Sequence, residues 1–170
     1  MHLCSYGIQF TTKTPIYRRL VPDEEFMNTF ELRGHVSDFR VALERLDWTS
    51  MPANFRQFPA GTCGDISDIL AEYLYKQGVK SIEYVSGSAD NQQSHAWLEV
   101  SGHIIDITAD QFPDCRDPVI VTDDHSWHQR FEESTRRPAG FLDGFKSTDN
   151  LTLNITRDLN IVYKAALAYL

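Results

Sequence analysis

Ser94-His95-Ala96-Trp97-Leu98-Glu99-Val100-Ser101-Gly102-His103-Ile104-Ile105-Asp106-Ile107-Thr108 is the stretch that decides the fold. Ser94 to Val100 alternates, and so does His103 to Thr108, the period-two pattern of strands with one covered face. Ser101-Gly102 between them signals a two-residue hairpin turn. A turn that tight sets the register: Val100 faces His103, Leu98 faces Ile105 and Ala96 faces Ile107. That largely apolar face belongs against a core. The opposite face carries His95, Trp97, Glu99, Ile104, Asp106 and Thr108. Trp97 then stands opposite Asp106, with His95 as the diagonal neighbour. Diagonal pairs lie roughly 7–8 Å apart at Cα, a span that an imidazole and a carboxylate can bridge. A slip of one residue would put the two on different sides of the sheet. Trp97 is placed to shield such a hydrogen bond from water. The same pattern also suits a half-exposed hairpin whose polar face merely contains a His and an Asp.

Upstream, Gln57-Phe58-Pro59-Ala60-Gly61-Thr62-Cys63-Gly64-Asp65-Ile66 leads into a helix. Ile66, Ile69, Leu70, Tyr73 and Leu74 recur at helical spacing, and Gly78 marks the stop. Thr62 is in position to cap, with Asp65 as a short-acid form of the capping box. Cys63 then falls in the first turn, on the inward stripe. Unpaired backbone N–H groups and the positive end of the helix dipole both favour the thiolate there, and the thiolate is the nucleophile. Taken alone, Cys63 also fits a small buried hydrophobe. Together, Cys63 on a helix, His95 on a strand and Asp106 on the next strand are the parts of a Cys-His-Asp nucleophilic triad.

The order helix Cys, strand His, strand Asp resembles the papain-like and transglutaminase-like cysteine enzyme superfamily. The His-Ala-Trp-Leu-Glu-Val run, closed by a Gly turn and an Asp, looks like the corresponding strands of its bacterial members. The likeness covers about residues 55–112. It implies an α+β fold, with N-terminal helices and a catalytic helix packed on a small antiparallel sheet. It also implies Cys63 as nucleophile, His95 as general base and acid, and Asp106 as orienting carboxylate. Gln57, six residues before Cys63, stands where papain-like enzymes carry an oxyanion-hole amide. Gly64 and Trp97 are candidates to line the cleft. The Cys-Gly-x-Cys-Trp run of the plant and lysosomal proteases is missing, and the His follows the Cys closely, which fits a compact member acting on one defined substrate.

The activity so implied is amide hydrolysis through a thioester acyl-enzyme on a protein or peptide, as a protease or a glutamine deamidase. The alternatives are transglutaminase-type acyl transfer and a catalytically inactive peptide-binding module on the same fold. A structural domain with a chance triad is a third reading.

Composition bounds the rest. The chain of 170 residues is 42% apolar and 12% aromatic, and is read as a single domain over 1–170. A net charge of −8 argues against nonspecific nucleic-acid or anionic-membrane binding. No apolar run approaches the ~18 residues of a membrane span. The N-terminus lacks the features of a signal peptide, so a cytoplasmic location, or export without a cleavable signal, is expected. Three cysteines exclude a complete disulfide framework. His95 with Glu99, or His125 and His128 with Cys115, lack zinc-signature spacing, and no Gly-rich phosphate loop occurs, so no metal and no cofactor are expected. Helices are expected over Asp23–Leu32, Val36–Leu46, Ser126–Thr135 and Asn154–Leu170. Strands are expected over Lys80–Ser86 and, at an edge, Val119–Thr122. The polar stretch Gly87–Gln93 reads as a loop bordering the cleft, and 48–59 and 138–150 read as loops.

Overall fold

The hairpin forms in the register that its turn dictates. In the computed structural model, which describes residues 27–90, 92–141 and 150–170, β2 (Ser94–Val100) pairs with β3 (His103–Asp106) through Leu98–Ile105, Glu99–Ile104 and Val100–His103. Ser101 and Gly102 sit at φ 49° and 81°, the two positive values that a tight hairpin of this hand needs. The pairing stops at Leu98–Ile105 and does not run on to Ala96–Ile107. Beyond that point the Ala96 carbonyl accepts instead from the Ser67 hydroxyl of the neighbouring helix, at 3.4 Å.

β1 (Glu83–Ser88), β4 (Ile120–Thr122) and β5 (Glu132–Pro138) complete an antiparallel sheet of five strands in the order β4-β3-β2-β1-β5. β4 is the edge strand that the sequence implies. Two expectations fail beside it. β1 runs on through Gly87 to Ser88, because Gly87 pairs with both His95 and Glu133. A Cβ on Gly87 would lie 2.6 Å from the Glu132 carbonyl oxygen, so only glycine admits that approach. Ser126–Thr135 is not a helix: a short turn over His128–Arg130 is followed by β5, whose polar residues gain order by pairing with β1 at the sheet edge.

α1 (Thr29–Glu44) is one helix where two short ones were expected, capped by the Asn28 side chain on the Glu31 N–H. The expected start at 23–26 lies outside the described residues. α2 (Cys63–Lys76) matches its expected bounds, and Gly78 at φ 93° ends it. The Gly78 N–H bonds to Tyr75 and the Val79 N–H to Leu74, the paired bonds of a Schellman stop. α3 (Asn150–Leu167) begins before Asn154. Most of the expected 138–150 loop lies outside the described residues.

The three helices share one hydrophobic core with one face of the sheet: Val36, Phe39 and Leu43, then Ile66, Ile69 and Leu70, then Leu159 and Val162, against Leu98, Val100, Ile105 and Ile107. The other face has its own smaller core of Val85, Trp97, Ile104, Phe112 and Phe131. Among the described residues, no helix is long and apolar enough to cross a membrane.

Candidate active site

Cys63, His95 and Asp106 meet where the first turn of α2 reaches the start of β2. The body of α2 lies on the Leu98 face, not on the His95 face, so the helix brings its N-terminus to His95 past the point where β2 and β3 separate. His95 and Asp106 are buried, and His95 Nε2 stands 2.6 Å from Asp106 Oδ2. With Nε2 committed to the carboxylate, Nδ1 is the nitrogen left for the thiol.

The charge state of the pair follows from its surroundings. Burial alone would push the His95 imidazolium pKa down. The Asp106 charge and hydrogen bond, aided by the Cys63 thiol, outweigh it and raise the value to about 9. Burial of Asp106 works the other way, raising its pKa. The His95 charge and the hydrogen bonds from His128 and His95 overcome this and hold the carboxyl well below its ordinary range. Both shifts favour an imidazolium on a carboxylate, with Cys63 beside the ring.

The first turn of α2 differs from its expected form. Thr62 makes no cap; its hydroxyl donates to the Pro59 carbonyl at 3.0 Å. Asp65 turns away to accept from Asn54 at 3.1 Å. The first helical hydrogen bond runs from the Ile66 N–H to the Thr62 carbonyl, so the N–H groups of Cys63, Gly64 and Asp65 precede the ladder, and the Thr62 side chain does not cap them.

Gly64 has a steric reason. A Cβ there would come within 3.0 Å of the Tyr84 hydroxyl, which overlies this turn. Burial raises the Tyr84 phenol pKa, and the Asp68 charge adds to this. Gln57 is exposed on the preceding turn, where its carbonyl accepts from Ala60. The amide that stands against the His95 ring is that of Gln111, with Nε2 3.4 Å from Nδ1. Gln111 also donates to the Thr108 carbonyl at 2.8 Å and accepts from the Gly61 N–H at 3.2 Å, tying the segment before Cys63 to the segment after Asp106. Buried Arg40 holds that second segment from α1, through Asp110 and the Ile107 carbonyl.

Trp97 is buried and donates to Glu99 at 3.2 Å. Its ring stands 5.9 Å from that of His95, and not alone. Phe112, Trp127 and Phe131 also ring His95, with centroids 5.1, 5.8 and 5.4 Å away. Besides these three rings, Gln111, Tyr84 and, as a partner of Asp106, His128 escaped the sequence reading. Thr108, which the alternation does place on this face, closes the shell by donating its N–H and hydroxyl to Asp106 Oδ1 at 2.9 and 3.2 Å.

His95, Asp106 and His128 offer ligand atoms within 4.8 Å of one another and are the group among the described residues that could hold a metal ion. Their polar atoms already satisfy each other, because Asp106 Oδ2 accepts from both Nε2 atoms, at 2.6 and 2.9 Å. Cys115 and His125 are not part of that cluster. No family model, curated protein or solved structure matches this chain.

Proposed function

We propose that the protein is a cysteine-dependent amide hydrolase of papain-like or transglutaminase-like type, acting on a protein or peptide. The observation that carries the reading is the setting of one imidazole: His95 has Nε2 on the buried Asp106 carboxylate and interacts with the Cys63 thiol at a helix N-terminus. An imidazolium at neutral pH is what a resting thiolate–imidazolium pair requires.

In this reading Cys63 Sγ attacks the carbonyl carbon of an amide, and the π pair moves to oxygen. The uncapped N–H groups of the α2 first turn stabilise that oxyanion. As the intermediate collapses, the C–N bond breaks and His95 gives its Nδ1 proton to the leaving amine. A thioester remains on Cys63. Water, deprotonated by His95 Nδ1, attacks the thioester, releases the acid and returns the thiolate and imidazolium. Asp106 holds the ring throughout and keeps its own charge. Attack by an amine in place of water would make the same site a transferase.

Candidate peptides incubated with the protein and followed by mass spectrometry test the reading. Fragments indicate proteolysis, an amide-to-acid mass change deamidation, and an amine adduct transfer. Each product should be absent with Cys63→Ala. Turnover that survives Cys63→Ala would overturn the mechanism. Tight peptide binding with no product would favour the inactive module.

A further inference from the structure

The carboxylate that orients His95 has a second imidazole on it. His128 Nε2 lies 2.9 Å from Asp106 Oδ2, the same oxygen that His95 holds at 2.6 Å. A carboxylate can only accept, so both imidazoles present an N–H to it. His128 comes from a separate element, the short turn between β4 and β5. Its ring is buried, with the Trp97 and Trp127 rings at 5.0 and 4.8 Å. The aromatic contacts keep the donor from swinging away.

The consequence follows from the bonding capacity of Asp106. With Thr108 on Oδ1 and the two imidazoles on Oδ2, four donors meet the carboxylate. Its surroundings are mostly aromatic, where an ionised group with fewer partners is costly to hold. Taking His128 away would leave one lone pair of Oδ2 unpaired. It would also free the carboxylate to rotate, so the bond to His95 would lose its direction.

We propose that His128 is a positioning residue: by sharing Asp106 Oδ2 it fixes the carboxylate, and through it the ring that faces Cys63. The proposal rests on the reading of Asp106 as the orienting partner of His95. In this role His128 acts through Asp106 and His95 rather than on a substrate directly.

The test uses the full chain, proton–nitrogen NMR of the imidazole N–H groups, and iodoacetamide as a probe of Cys63. The wild type should show two Nε2–H protons far downfield and slow to exchange, one from each His. Asp106→Asn should move both. In His128→Leu one signal disappears and that of His95 moves, since it no longer shares its acceptor. Alkylation of Cys63 should fall by on the order of 10- to 100-fold. His128→Gln, which can return an N–H toward Oδ2, should recover most of both. A folded His128→Leu with the His95 signal unmoved would overturn the proposal. If His128→Leu does not fold, a His128 signal that ignores Asp106→Asn would overturn it equally. Failure of the hydrolase reading looks different: Cys63 would alkylate no faster than Cys115 in the wild type, whatever the imidazole signals do.

Discussion

The two faces of the sheet are built on different principles. The Leu98 face is covered by three helices and is apolar throughout, with Leu32, Val36, Ile66, Ile69, Leu98 and Ile105 nearly inaccessible. The His95 face is covered by turns and loop residues, and its aromatic side chains enclose His95, Asp106 and His128. The first face obtains stability from apolar area. On the second, the Asp106 carboxylate is buried among matched donors, so removing one partner leaves a buried polar group unpaired. The two meet at the first turn of α2, where Cys63 leaves one and approaches the other.

The largest expected effect sharpens this division. Cys63→Ala and His95→Ala should each lower turnover by about 10⁴-fold or more, and the double variant should be no worse than either, because triad members act as a unit. Asp106→Asn should leave on the order of a hundredfold more residual activity than Cys63→Ala. Additive losses on a logarithmic scale would show that these residues do not share one step. Leu98→Ala on the other face should do the reverse. It should cost about 2–5 kcal/mol of stability in denaturant unfolding while leaving Cys63 alkylation unchanged per folded molecule. A large loss of alkylation in that variant would mean that the two faces are not separable.

A pH series probes the polar face alone. The His95 pKa is raised above its ordinary 6.5 to about 9. Its stabilising contribution is therefore full below about 6.5 and is lost as pH rises toward and through about 9. Asp106 is shifted down, so its contribution is present above the ordinary carboxyl range and is lost only in strong acid. Denaturant midpoints should fall between pH 6.5 and 9 in the wild type and stay flatter in Asp106→Asn. Equal slopes would contradict the pairing. A chelator should leave Cys63 alkylation unaltered, whereas a loss restored by added zinc would favour the His95–Asp106–His128 cluster as a metal site.

The smallest expected effect lies at the edge of the second face. Gly87→Ala places a methyl against the Glu132 carbonyl and should cost about 1–3 kcal/mol, read from thermal or denaturant unfolding.

The difference between the faces also explains what the sequence made legible. The helical stripe of α2, the Gly78 stop and the Ser101-Gly102 register are periodic or local signals, and all three appear as read. They bring Cys63, His95 and Asp106 together, because the strand period and one turn suffice to align the last two. Gln111, Tyr84 and His128 carry no such signal. Each reaches the site through tertiary approach: Gln111 through the turn that Arg40 anchors, Tyr84 through β1–β2 pairing, His128 through a turn whose polar sequence reads as a helix. The placing of Gln57 is likewise set by tertiary structure. Its spacing from Cys63 is suitable, but the chain from 57 to 62 folds into turns that leave it exposed, while Gln111 supplies an amide from elsewhere.

The central claim is that His95 activates Cys63. It is tested most directly by the rate of iodoacetamide labelling at each cysteine, resolved by peptide mass spectrometry at neutral pH. Cys115 provides the internal reference, since burial raises its thiol pKa. The account predicts labelling of Cys63 at least about tenfold faster than of Cys115, with that advantage lost in His95→Ala. Labelling of Cys63 at a rate that His95→Ala leaves unchanged would contradict it.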